Sequence, residues 1–139
     1  MEENLSVRVA EANELAKVSA FLQPFMDQKF ILPRTSVEIE ILLRHAFVAE
    51  VAGSIVGFAA VEIYSKKLAE IQCLAVSSDF RRMGIGKQLV TCCVERAKKE
   101  KVREVMAITA TEQLFQECGF DFALPGQKRA VFVQTDESL

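Results

Sequence analysis

The stretch from Glu70 to Gly86, EIQCLAVSSDFRRMGIG, constrains this chain more than any other. An apolar strand pattern runs into a short polar turn and then into RRMGIG, and a long amphipathic segment begins near Gly84. That order predicts an anion site at a helix N-terminus, because the first four amides of a helix lack internal partners and the dipole places partial positive charge there. A phosphate-bearing ligand suits it. Gly84 and Gly86 carry no Cβ, so a bulky anion can approach the main chain, and Arg81 and Arg82 add fixed charge beside it. The same residues also suit a basic turn capping an ordinary core helix. Two familiar phosphate loops are excluded by spacing: Walker A needs GxxxxGK followed by Ser or Thr, and the dinucleotide fingerprint needs a third glycine where Leu89 stands.

At 139 residues the chain has the size of a single domain, expected here over 1–139. A net charge of −2 argues against general nucleic-acid binding, and no run of about 20 apolar residues is present to cross a bilayer. The acidic N-terminus lacks the positive flank and apolar stretch of a signal peptide, so a cytoplasmic protein with neither nucleic-acid nor membrane partners is expected. Cys73, Cys92, Cys93 and Cys118 lack paired CxxC spacing, and with a single histidine no metal site is expected. Buried free thiols are the better reading, with the neighbours of Cys118 expected to face the functional site.

Residues Ser6 to Ala10 alternate polar and apolar and predict a first strand. Asn13 or Glu11 opens a helix to about Met26, with Leu15, Val18, Phe21, Leu22 and Phe25 at helical spacing, and Pro24 predicts a kink or an early end. After DQKFILPRTS, Ser36 begins a second helix whose Ile39, Leu42 and Leu43 form one face. Two β-rich runs between Ala46 and Tyr64 flank a tight turn at Ala52-Gly53-Ser54, and a third, Leu68 to Val76, follows Ser65-Lys66-Lys67. Ile85 to Lys101 predicts a helix turning Leu89, Cys93 or Val94, and Ala97 inward, and Arg103 to Thr109 a returning strand. Thr111 caps a short helix ended by Gly119, and Phe120 opens a closing hairpin. The fold class is mixed α+β.

The spacing Arg81-x-x-Gly84-x-Gly86 after a strand ending CLAV resembles the acyl-CoA-binding motif of the GNAT acyltransferase superfamily, and the element order is similar over essentially the whole chain. Within that superfamily the chain most resembles the acetyltransferase domain of N-acetylglutamate synthase, through ILPRTSVEIE, FVAEVAGSIVGFAAVE, AEIQCLAVSSDFRRMGIG and LFQECGF. Members of that group are similar in an arginine in the first stretch, a Glu and a Cys on the strand before the turn, and a phenylalanine before the closing Gly-Phe pair. Here these are Arg34, Glu70, Cys73 and Phe115. The resemblance implies a GNAT fold: a mixed central sheet with helices on both faces and a pyrophosphate loop between strand 4 and the following helix. It implies acetyl transfer from acetyl-CoA to a primary amine of a small molecule, such as the α-amine of glutamate or a related amino acid, without a metal. A protein N-acetyltransferase and a non-catalytic CoA-binding or sensing module are the alternatives. A homodimer would form through the exposed edge of the closing hairpin.

By the same resemblance, main-chain amides of Arg82, Met83, Gly84, Ile85, Gly86 and Lys87 would hold the CoA pyrophosphate beside Arg81, with Phe115 against the cofactor. Leu74, Ala75 and Val76 would pair with the pantetheine arm as an added strand, and a main-chain N–H near Leu74 would stabilise the oxyanion. Arg34, Glu70, Cys73 and Thr109 would border the acceptor. Attack needs a neutral amine, and the departing thiolate later needs a proton. Glu70, on the strand leading into the motif, is the first candidate base, directly or through water; an ordinary charged strand residue is its other reading. His45 titrates in a useful range but falls at a helix end, where capping or surface placement is favoured. Many GNAT enzymes have a proton-donating tyrosine where Phe115 stands; here the thiolate leaves unassisted, or water or Cys118 serves. The lone tyrosine, Tyr64, sits on another strand with no evident part. Ala110 replaces an arginine that the synthase group uses for a substrate carboxylate, leaving Arg34 for that task.

Overall fold

Among the described residues five strands, β1 (Ser6–Val9), β2 (Ala46–Val51), β3 (Ser54–Ile63), β4 (Leu68–Val76) and β5 (Glu104–Met106), form one sheet in sequence order. Strands β1 to β4 run antiparallel, and β5 joins β4 in parallel. The helices are α1 (Leu15–Asp27), α2 (Ser36–Leu42), α3 (Ile85–Lys99) and α4 (Glu112–Glu117). The computed structural model describes residues 4–109, 111–121, 131 and 133–135. The expected closing hairpin, the dimer edge assigned to it, and Ala110 lie outside the described residues.

Each face of the sheet carries its own core, as expected of a layered α+β fold. On one side Ile85, Leu89, Val90, Cys93 and Ala97 of α3 and Phe115 of α4 pack on Phe47, Ala59, Val61, Ala69 and Ile71. On the other, Val18, Leu22 and Met26 of α1 and Ile39 and Leu42 of α2 cover Val48, Phe58, Ala60, Cys73 and Ala75. Arg8 of β1 ties the near edge together, reaching Glu14 Oε2 at 2.7 Å and Glu50 Oε1 at 2.9 Å. The Arg8 hydrogen bond is the main reason the Glu14 carboxyl is held down at about 2.

Several boundaries differ from the sequence expectation. Helix α1 runs through Pro24 to Asp27, because Pro24 lies on its exposed side, where water can satisfy the carbonyl that a proline leaves unbonded. Helix α2 begins at Ser36 as expected but ends at Leu42, and Thr35 caps it: Thr35 Oγ1 accepts from the Glu38 N–H and Glu38 answers at the Thr35 N–H, a reciprocal capping box. Helix α3 ends at Lys99 instead of Lys101. Strand β5 is shorter than Arg103 to Thr109, for a reason that lies in β4.

Strand β4 contains an extra residue. Phe58 pairs with Ala75 but Ala60 with Gln72, so two steps along β3 match three along β4. Cys73 takes up the difference at φ 59°, a left-handed conformation that costs an L-residue about 1–2 kcal/mol. The bulge reverses the alternation. Ala69 and Ile71 enter the α3-side core, whereas Cys73 and Ala75 enter the α1-side core. Pairing with β5 ends at Glu70↔Met106, before this point, and residues 107–109 separate from β4.

A second irregularity, between Ala49 and Glu50 on β2, sets Gly57 beneath α3. A Cβ at Gly57 would lie 3.1 Å from Ala49 Cβ, Ile85 Cγ2 and Leu89 Cδ1 at once. Glycine is required there because the first turn of α3 rests directly on the strand. Gly57→Val is expected to destabilise the fold by about 1–3 kcal/mol through overpacking and to lift the start of α3. Thermal unfolding would show the first effect; weaker ligand binding at the α3 N-terminus would show the second.

Candidate active site

The separation of β4 from β5 opens a cleft of about 1040 Å³. One wall is β4 from Glu70 to Val76; the other is Ala107 to Thr109 with Leu114 and Phe115, and Phe30 to Leu32 close one end. The floor at the other end is the turn before α3. Arg81 is extended, Arg82 is left-handed at φ 67° and Gly84 is left-handed at φ 79°. The left-handed Gly84 directly before the right-handed Ile85 turns successive N–H groups to one side and makes an anion-binding concavity. No side chain caps α3, so its first amides remain available to a ligand.

The two glycines differ in what the protein itself asks of them. A Cβ on Gly84 would meet nothing within 4 Å; its φ, not the lack of room, calls for glycine. A Cβ on Gly86 would meet Leu114 Cδ2 at 3.4 Å, an ordinary contact. Arg81 and Arg82 are exposed at the cleft, with Arg81 Nε 3.4 Å from the Val76 carbonyl. Met83 packs its side chain against the α3-side core and does not line the cleft, so only its main chain can face a ligand. Lys87 Nζ is paired with Glu117 Oε1 at 2.8 Å, which raises the lysine pKa and bridges α3 to α4.

Leu74, Ala75 and Val76 lie on the open half of β4. Their β3 side is paired, with Phe58↔Ala75 and Gly57↔Val76, whereas their β5 side faces the cleft. An unpaired strand edge can take an extended, amide-bearing ligand. Phe115 is buried at the back, edge-on to Phe120 with centroids 5.3 Å apart. Cys118 is not a lining residue. It packs beside α3 near Lys87 and Thr91, where burial raises its pKa, and its neighbours Leu114 and Phe115 face the cleft as expected. His45 is also remote, with Nδ1 2.9 Å from Arg96 Nη1, and its pKa is lowered first by burial and then by Arg96.

A polar cluster occupies the cleft end near Glu70. Glu62 on β3 pairs with Glu70 on β4, and the alternate residues Tyr64 and Gln72 share their face. Tyr64 Oη lies 2.6 Å from Glu70 Oε1, and Gln72 Nε2 lies 3.0 Å from Tyr64 Oη and 2.8 Å from Glu62 Oε1. Arg34 Nη2 donates to Gln72 Oε1. The arginine comes from the α1–α2 loop, anchored by its own N–H on Met26 Sδ at 3.2 Å and by Nη1 on the Pro33 carbonyl at 3.2 Å. A side cavity of about 240 Å³ meets the cleft at Arg34 and Gln72. Cys73 lines the cleft with its thiol pKa raised by burial, and Thr109 stands on the opposite wall, its Oγ1 accepting from the Thr111 N–H at 2.9 Å.

Sequence reasoning missed Tyr64, Gln72 and Glu62. The signal was present in the short turn at Ser65–Lys67, which sets Glu62 opposite Glu70 and, with a period of two, puts Tyr64 and Gln72 on the same face. Burial and then the Glu70 carboxylate push the Tyr64 pKa upward, so its hydroxyl stays protonated. Among the described residues, no group of three or more His, Cys, Asp and Glu could hold a metal, and no helix is long and apolar enough to cross a membrane.

Comparison with known proteins gives concordant matches. The model of the acetyltransferase (GNAT) family matches residues 11–120. An uncharacterized N-acetyltransferase of Chlorobaculum tepidum is 32% identical over 114 residues, covering 82% of this chain and 74% of that protein. An amino-acid acetyltransferase of Pasteurella multocida is 28% identical over 135 residues, covering 93% of this chain and 31% of that protein. The structure of N-acetylglutamate synthase from Neisseria gonorrhoeae, complexed with coenzyme A and N-acetyl-glutamate, aligns at a TM-score of 0.77 and 25% identity, over 92% of this chain and 31% of that one. The chain spans about a third of the length of these last two proteins.

Proposed function

The chain belongs to the acetyltransferase (GNAT) family, and from that premise we propose that it is an acetyl-CoA-dependent N-acetyltransferase whose acceptor is the primary amine of a small amino acid. One observation carries this reading. A cleft with an unpaired strand edge along one wall has an uncapped helix N-terminus at one end and a carboxylate, Glu70, at the other.

The cleft fits the cosubstrate on its own terms. The turn from Arg82 to Lys87 offers amides to a diphosphate, with Arg81 and Arg82 beside it, and the open edge at Leu74–Val76 offers main-chain partners to an amide-bearing arm. Acetyl-CoA, when bound, supplies a thioester acyl group open to attack by an amine. Glu70 takes a proton from the acceptor ammonium, since only the free amine has a lone pair. We assign the oxyanion donor to the Leu74 main chain. Arg34 uses two side-chain N–H groups within the protein and keeps others for an acceptor carboxylate. Cys73 and Thr109 border the same space. Glutamate is one member of the acceptor class; a related amino acid with a single carboxylate is equally accommodated by a single arginine.

Acetyl-CoA turnover against a panel of amino acids tests the proposal. Thiol release matched by an N-acetylated product of the expected mass is the anticipated result. Binding of acetyl-CoA without turnover on any amine would favour a sensing module instead, and acetylation of peptides alone would favour a protein acetyltransferase.

A further inference from the structure

We propose that Tyr64 is a positioning residue for Glu70, held in its donating orientation by a hydrogen-bond chain that begins at Arg34. The inference rests on the reading of Glu70 as the base. Its physical basis is that the direction of every bond in the chain follows from its first member.

A guanidinium has only N–H groups to offer, so Gln72 Oε1 must be the acceptor from Arg34. That fixes the Gln72 amide, which turns Nε2 toward Glu62 Oε1 at 2.8 Å and Tyr64 Oη at 3.0 Å. Both amide hydrogens are then committed. The Tyr64 oxygen receives one of them and keeps its own hydrogen to donate, and Glu70 Oε1 is 2.6 Å away. The chain therefore ends in a donor aimed at one carboxylate oxygen, which fixes the orientation of the carboxylate and leaves the other oxygen for the acceptor amine or a bridging water.

Packing does not account for Tyr64. Its side chain is 50% exposed and belongs to neither core, so little apolar burial is gained by an aromatic ring at this position. What it does have is a fixed main chain: its N–H bonds the Leu68 carbonyl at 3.0 Å, which sets the ring at the base of the β3–β4 turn. Of the charged groups, Glu62 on β3 pairs with Glu70 and Arg34 on the α1–α2 loop lines the same cleft, while Glu38 on α2 meets Glu62 and Arg34 at the side cavity. Tyr64 Oη touches the Glu70 carboxylate directly, and Arg34 reaches it only through Gln72 and Tyr64.

Tyr64→Phe removes the hydroxyl and keeps the ring. The expected result is a fall in kcat of about tenfold or more, the size set by one hydrogen bond to a charged group, with KM for acetyl-CoA unchanged. The acid limb of the kcat/KM profile should move to higher pH. Gln72→Leu should move it in the same direction. If Glu70→Gln loses turnover while Tyr64→Phe leaves kcat and the profile unmoved, the positioning role is wrong and the base reading survives. If Glu70→Gln keeps turnover, the base reading fails, and the positioning claim is decided separately by NMR titration of ¹³C-labelled glutamate side chains, the Glu70 signal being identified by its loss in Glu70→Gln. A Glu70 titration that moves to higher pH in Tyr64→Phe upholds the contact; an unmoved one overturns it.

Discussion

Gly84→Glu is expected to abolish acetyl-CoA binding while leaving the protein folded. The residue sits exposed at the N-cap of α3 at φ 79°, and a Cβ there would meet no atom within 4 Å, so there is room at the root of the new side chain. The left-handed backbone costs an L-residue about 1–2 kcal/mol, which thermal unfolding would register as a fall of several degrees. The charge has a far larger effect on the ligand. A carboxylate about 4 Å from a phosphate charge costs about 4 kcal/mol at an effective dielectric of 20, close to a thousandfold in affinity. Gly84→Ala separates the terms, because it carries the same backbone strain without the charge and should lose little binding. Calorimetric titration of the three proteins with acetyl-CoA is the measurement. Undiminished binding by the Gly84→Glu protein would remove the diphosphate from the α3 N-terminus.

Glu70→Gln should lower turnover by about 10²–10⁴, the usual contribution of a positioned proton acceptor. The substitution is nearly isosteric, and the amide oxygen can still accept the Tyr64 hydroxyl at the place now held by Oε1. What disappears is the capacity to take a proton. Glu70 stands at the opposite end of the cleft from the α3 amides, so acetyl-CoA affinity should hold while kcat falls. The deficit should narrow as pH rises, since more of the acceptor is then already the free amine. A loss of equal size at every pH would argue that Glu70 shapes the site without accepting a proton.

The parts of this architecture that were legible in the sequence are those written locally. Strand β4 was expected from Leu68 to Val76 and has those bounds, and the tight turn expected at Ala52-Gly53-Ser54 closes on Ala52 and Gly53, both with positive φ. The turn before α3 was legible because arginines and glycines at fixed spacing between a strand and a helix mark a break there, and Gly84 ends it at φ 79°. Strand β5 was overextended because Ala107 to Thr109 looks like strand by composition, whereas its pairing depends on whether β4 stays alongside. Nothing in CLAV announces the bulge at Cys73, since a left-handed cysteine is imposed by packing on both faces rather than by propensity. Tyr64 was overlooked for a related reason. Its partners lie 6 and 8 residues further along, and only a fixed strand register makes them neighbours.

The parting of β4 and β5 has a consequence for the protein without its ligand. From Ile71 onward one margin of the sheet is a seam left unzipped, with the Cys73 kink holding it open. On the function proposed above, the cosubstrate would lie in that gap with amides of its own and complete the sheet as a removable strand. The amide hydrogens of that margin should therefore exchange with solvent much faster in the empty protein than in the occupied one.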